Sequence, residues 1–139
     1  MASENKSNLR MLLVEDDFMV RQIIRDILEP YGSLDIAVNG EEAVQACRVA
    51  WRKQQPYDLL CMDIMMPVMD GNEALIKIRE MEKSLGVPSP EEVKVIMITA
   101  LDDVKTVIRA YSKGGATSYI VKPIEKERLV DEMRNIGLL

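Results

Sequence analysis

Residues 11–31 read MLLVEDDFMVRQIIRDILEPY, and the fold follows from how the apolar period changes along this stretch. Met11-Leu12-Leu13-Val14 is a continuous apolar run, the pattern of a strand buried on both faces in a parallel sheet. Glu15, Asp16 and Asp17 end it. Val20, Ile23, Ile24, Ile27, Leu28 and Tyr31 then fall at i, i+3, i+4, i+7, i+8 and i+11, which is one face of a helix. Pro30 and Gly32 stop that helix, and Asp17 stands where its N-cap belongs.

The alternation recurs four more times. Leu34 to Val38 reads as a strand, and Asn39 caps a helix that faces inward through Ala43, Val44, Ala46, Cys47 and Ala50. Leu59 to Met62 precedes a helix with Ala74, Leu75, Ile78, Met81 and Leu85 on one face. Val93 to Thr99 is the most β-branched strand, and its helix carries Val104, Val107, Ile108 and Tyr111. Tyr119 to Val121 is followed by a last helix with Leu129, Val130, Met133 and Ile136. Five β–α units with short links predict an α/β domain, a parallel sheet covered by helices on both faces. The links differ in length and share no motif, so this is not a repeat array. Residues 1–8 read as a disordered tail before a domain spanning 9–139. Residues 86–92, GVPSPEE, carry two prolines and read as an exposed loop away from the chemistry.

At 139 residues the chain is one ordinary domain. Eighteen Lys and Arg against 23 Asp and Glu leave a net charge of −5, the wrong sign for direct nucleic-acid binding. Its apolar runs are too short to span a bilayer, and residues 1–10 lack the apolar core of a signal peptide. Cys47 and Cys61 lie inside apolar patterns, as reduced thiols of a cytoplasmic protein do. The chain has no histidine. That excludes Ser/His and Cys/His pairs, imidazole acid–base chemistry, most transition-metal sites and phosphorylation on histidine. Carboxylates, hydroxyls, lysines and a hard metal ion remain.

Ligands of an open parallel sheet bind beyond the carboxyl ends of its strands. The first strand ends in Glu15, Asp16 and Asp17, the third in Asp63, the fourth in Thr99 and the fifth in Lys122-Pro123. Each has an ordinary explanation alone, as a cap, a loop carboxylate, a strand-end hydroxyl or a solvated amine. Together they put carboxylates, a hydroxyl and an ammonium on one rim if the first, third and fourth strands are neighbours. Crowded carboxylates need a cation, and an oxygen-only donor set favours Mg²⁺. Such a site suits phosphoryl transfer, with metal and lysine neutralising the equatorial oxygens and a carboxylate as nucleophile.

These residues resemble the receiver domain of response regulators in bacterial two-component signalling, the CheY-like family. The resemblance rests on Leu13-Val14-Glu15-Asp16-Asp17, Asp63-Ile64-Met65-Met66-Pro67-Val68-Met69-Asp70-Gly71, Ile98-Thr99-Ala100 and Tyr119-Ile120-Val121-Lys122-Pro123, and runs from about Arg10 to Ile136. It implies a flavodoxin-like (βα)5 doubly wound sheet of order 2-1-3-4-5. It also implies a signalling switch rather than an enzyme. Asp63 would accept a phosphoryl group from a histidine kinase or histidine phosphotransfer protein. Mg²⁺ would be held by Asp16, Asp63, the Met65 main-chain carbonyl and Glu15, the last directly or through water. Lys122 would pair with a phosphoryl oxygen across a cis Lys122–Pro123 peptide. The Thr99 hydroxyl would bond another, and Ala100 leaves room. Movement of Thr99 would let Tyr119 rotate inward, reshaping the surface of the fourth helix, fifth strand and last helix for a protein partner. The phosphorylated form would be a monomer or a dimer.

Met65 and Leu101 stand where fast members of the family tend to place polar groups, so slow self-dephosphorylation is expected. A haloacid-dehalogenase-like phosphatase needs a second Asp where this chain has Met65, and Glu15-Asp16-Asp17 would repel the phosphate of a flavin mononucleotide. A Walker-type NTPase lacks its GxxxxGK[ST]. A receiver segment of a larger regulator or hybrid kinase is the alternative to a stand-alone regulator, which the start Met1-Ala2-Ser3 favours.

Overall fold

The computed structural model describes residues 8–100 and 115–139. Five strands, β1 (Leu9–Val14), β2 (Gly32–Ala37), β3 (Leu59–Asp63), β4 (Lys94–Thr99) and β5 (Ser118–Val121), form one sheet of order β2-β1-β3-β4-β5. Every neighbouring pair is parallel. The helices are α1 (Phe18–Leu28), α2 (Gly40–Arg52), α3 (Gly71–Ser84) and the C-terminal α4 (Lys126–Asn135). The helix expected from Val104, Val107, Ile108 and Tyr111 lies outside the described residues, as do most of the N-terminal tail and Leu101. The order is the flavodoxin-like one that the resemblance implied.

Strand alternation divides the core. Leu12, Val14, Leu60, Met62, Val95 and Met97 face α2 and α3, where Ala43, Val44, Cys47, Leu75 and Ile78 cover them. Met11, Leu13, Leu59, Cys61, Ile96 and Ile98 face α1 and α4, under Ile24, Leu28, Leu129 and Met133. Cys47 and Cys61 therefore lie on opposite faces of the sheet and are free. Burial pushes both thiols up to about 12.

Two apolar side chains expected on inward faces are exposed instead, and one expected in a strand lies beyond its end. Ile23 is 49% exposed, because the buried stripe of α1 runs through Ile24, Ile27 and Leu28 and leaves Ile23 on its margin. Leu85 is 55% exposed, since α3 has ended one residue earlier and the chain turns at Gly86. Val38 lies beyond β2, which ends at Ala37, and its amide donates to the Glu42 carboxylate. Asn39 caps α2 as expected, accepting from the Glu42 amide at 2.9 Å, while the Glu42 carboxylate takes the amide of the residue before the cap.

Glu82 was not foreseen. It falls at i+4 from Ile78 and i+7 from Leu75, on the buried stripe of α3, and a carboxylate there is fully buried. It accepts from Arg79 Nη1 at 2.6 Å and from the Val93 amide at 2.8 Å. Arg79 also donates through Nε and Nη2 to the Gly115 carbonyl at 3.1 and 3.0 Å. This charge pair ties α3 to the start of β4 and to the residues entering β5. The 86–92 loop, with a short 3-10 turn at Ser89–Glu91, closes between the ends that Glu82 fixes. Truncating one member of a buried pair leaves the other uncompensated. Glu82→Ala should therefore cost about 3 kcal/mol, read from the urea unfolding midpoint. A loss under about 0.5 kcal/mol, the scale of an exposed pair, would show that the link is not structural.

Candidate functional site

The sheet register assembles the rim. Val14 lies opposite Met62, so Glu15 leaves β1 beside Asp63 at the end of β3. Asp63 lies opposite Ile98, and Thr99 opposite Val121, which sets Thr99 and Lys122 on the far side of Asp63. Backbone bonds extend the strands through this region: Glu15 N to Ala37 O, Ile64 N to Ile98 O and Lys122 N to Thr99 O, at 3.1, 2.9 and 2.8 Å. The Lys122–Pro123 peptide is cis.

Lys122 Nζ donates to Asp63 Oδ2 at 2.9 Å and lies 3.9 Å from Glu15 Oε1. The Met65 amide donates to Asp63 Oδ1 at 3.1 Å. Glu15 is fully buried, with Oε2 accepting from the Asp17 amide at 3.1 Å, while Asp16 is exposed. Carboxylate oxygens of Glu15, Asp16 and Asp63 all lie within 4.8 Å of one another. Asp17 stands apart as the cap of α1, accepting from the Val20 amide at 3.0 Å. Thr99 is buried, and its hydroxyl donates to the Ala100 carbonyl at 3.3 Å. Tyr119 is 36% exposed on β5.

Burial is the main reason that Glu15 is pushed up to about 7; the Asp17 amide opposes this and the Asp63 charge adds to it. For Lys122, burial alone would lower the pKa. The hydrogen bond to Asp63 and the charges of Asp63, Glu15 and Asp16 outweigh it and hold the amine above the usual lysine range. One ammonium thus faces three carboxylates, and Glu15 Oε1 is buried without a hydrogen-bond partner. That orphaned oxygen, the oxygen-only donors and the uncompensated charge fit a hard divalent cation.

The loop from Asp63 to α3 is held by close approaches. The Gly71 amide donates to the Ile64 carbonyl at 2.7 Å, and a Cβ on Gly71 would sit 2.5 Å from the Asp63 carbonyl oxygen. The Gly40 amide, at the start of α2, donates to the Met69 carbonyl at 3.0 Å. Between them Val68 has a φ of 70°, a left-handed conformation unfavourable for a β-branched residue.

The sequence profile of the "Response regulator receiver domain" family matches residues 11–134. The chain belongs to this family. A two-component response regulator of rice, ORR41, is 40% identical over 87% of this chain and 88% of its own length. The chemotaxis protein CheY of Halobacterium salinarum is 34% identical over 91% of the chain and 95% of its own. Other receivers are parts of much longer proteins: the chain matches hybrid signal transduction histidine kinase B of Dictyostelium discoideum at 36% identity but spans 6% of it. Among solved structures, the receiver domain of Arabidopsis histidine kinase CKI1 complexed with Mg²⁺ superposes with a TM-score of 0.80 at 27% identity, covering 96% of this chain and 95% of that one.

Receivers act as sites of phosphorylation and dephosphorylation, not as enzymes on other substrates, and this chain carries their acidic Mg²⁺ cluster in Glu15, Asp16 and Asp63. Two supports of this receiver site went unread in the sequence. Arg21 Nη1 donates to the Glu15 carbonyl at 2.9 Å, and Gly71 admits the Asp63 carbonyl. The Asp70-Gly71 pair carried a signal for the second, as an N-cap followed by a residue without Cβ. Arg21 carried none.

Metal binding needs ionised Glu15, so Mg²⁺ affinity should fall as pH drops through 7, toward about tenfold per pH unit. Calorimetric titration between pH 6 and 8 measures this, and an unchanged affinity would show Glu15 already ionised in the free protein. Stability has the opposite sign without metal. A carboxyl raised from 4.5 to about 7 contributes stability at low pH that is lost as pH rises through that interval.

Proposed function

We propose that Asp63 is the phospho-acceptor of a signalling switch, taking its phosphoryl group from a histidine kinase or a histidine phosphotransfer protein. The observation that carries this reading is the Lys122–Asp63 contact of 2.9 Å inside the acidic cluster. In the transfer, a carboxylate oxygen of Asp63 forms the new bond to phosphorus as the donor's N–P bond breaks. The chain has no histidine, so that imidazole comes from another molecule. Glu15, Asp16 and Asp63, with the Met65 carbonyl, would hold Mg²⁺, which when bound would neutralise charge on the phosphoryl oxygens. Lys122 moves from the Asp63 carboxylate to a phosphoryl oxygen and keeps its positive charge throughout. The Thr99 hydroxyl exchanges its bond to the Ala100 carbonyl for another phosphoryl oxygen, and Tyr119 turns inward behind it. The output is a changed surface around β5 and α4 that a protein partner reads.

A donor has to sit on the rim, and the rim is apolar around its charged centre. Phe18, Met19 and Ile23 on α1 are 60%, 68% and 49% exposed, and Met65 and Val68 beside Asp63 are 62% and 75% exposed. Such a collar excludes water around the transfer once covered. The yeast phosphotransfer protein Ypd1 was solved with the receiver domain of Ssk1, which superposes on this chain with a TM-score of 0.81 at 28% identity, covering 95% of this chain and 90% of that one. It supports the same kind of partner here. The functional unit spans residues 9–139, works in the cytoplasm and is a monomer or a phosphorylation-dependent dimer. Among the described residues no helix is long and apolar enough to cross a membrane.

Acetyl phosphate with Mg²⁺ should add one phosphoryl group, seen by intact mass. Asp63→Asn and EDTA should each abolish the adduct, and Lys122→Ala should slow it about a hundredfold. An adduct that persists in Asp63→Asn would move the acceptor elsewhere. Met65 and Leu101 offer no polar group to orient water, so the phosphorylated protein should have a half-life of minutes or longer. Decay within seconds in a phosphate-release assay would overturn that expectation.

A further inference from the structure

At the end of the molecule opposite the rim, α2 and α3 leave a groove of about 880 Å³ between their C-terminal halves. Its floor is apolar: Val44 is buried, and Trp51 and Met81 are half-buried with surface still open to the groove. Three cations line it, Arg48, Arg52 and Lys77, against one carboxylate, Glu80. The chain as a whole carries −5, so this patch inverts the local sign. None of the three cations forms an ion pair among the described residues; Arg48 donates only to Gln45. A basic residue in the last turn of a helix is accounted for by the helix dipole, and Arg52 is one. Arg48 and Lys77 sit a turn or more inside their helices, where the dipole gives no reason for them.

We propose that this groove docks an acidic amphipathic helix of a partner protein, its apolar stripe on Trp51 and Met81 and its carboxylates against Arg48, Arg52 and Lys77. The shape supports a helix. The Val44 to Arg52 wall is about 12 Å long at 1.5 Å per residue, enough for two to three turns of an occupant lying along it. The charges select the acidic partner, because a basic or neutral helix would leave three cations partly desolvated and unpaired. The groove is built from residues that take no part in the Asp63 site, so the surface is separate from the one reshaped by phosphorylation.

Trp51 is the only tryptophan of the chain and lines the groove, which makes its emission a direct reporter. The probe is a tryptophan-free helical peptide of about fourteen residues, Leu at i, i+3, i+4 and i+7 and Glu at the flanking positions. Its control has every Glu replaced by Lys. The acidic peptide should shift Trp51 emission saturably, and added salt should weaken it several-fold. Arg48→Glu with Arg52→Glu, and separately Lys77→Glu, should each weaken binding tenfold or more. Both should keep the wild-type circular dichroism and acetyl phosphate labelling of Asp63. No saturable shift, equal binding of the Lys control, or saturation by a nucleoside triphosphate in place of the peptide would each overturn the proposal.

Discussion

Three carboxylates brought within 4.8 Å of one another at the edge of a dry sheet repel each other, and one lysine is the only cation facing them among the described residues. The protein tolerates this crowding in two ways. Burial raises Glu15 to about 7, so that it is partly protonated near neutral pH, and the backbone amides of Asp17 and Met65 each hold one oxygen, of Glu15 and Asp63 respectively. Neither device cancels the excess charge. That excess is what a divalent cation would neutralise. The rest of the fold serves to hold that frustrated arrangement in register.

What holds it is the parallel sheet and the short loops that leave it. Strand pairing alone aligns β1, β3, β4 and β5 so that their final residues meet. The loop after Asp63 is pinned from two sides, by Gly71 against the end of β3 and by the Gly40 amide on the Met69 carbonyl. Val68 keeps a left-handed backbone between those two anchors. The buried Glu82–Arg79 pair does a comparable job at the other end, joining α3 to β4 and to the entry of β5. Both ends of α3 are thus fastened by polar contacts and its middle by apolar packing.

Most of this was legible from residue order because a buried parallel strand cannot hide its pattern. The runs at Met11, Leu59 and Val93 are apolar on both faces, and the change to helical spacing after each marks its end. The charged residues of the rim could be read for the same reason: each stands where an apolar run stops. Interactions between distant segments were not legible. Spacing puts Glu82 on the stripe of Leu75 and Ile78 and leaves Glu80 off it, but the Arg79 guanidinium and the Val93 amide that satisfy a buried carboxylate there could not be read from residue order. Ile23 and Leu85 erred in the opposite sense. Periodicity marks a face, but where that face ends depends on what neighbouring elements reach.

The site draws on strand ends from residue 15 to residue 122, each contributed by a different β–α unit. No contiguous fragment contains it. A nascent or truncated chain lacking β5 has the acidic cluster without its ammonium. A chain with an unpaired β1 has Asp63 without Glu15 and Asp16. The arrangement consequently exists only once β1, β3 and β5 are joined in one sheet through β4.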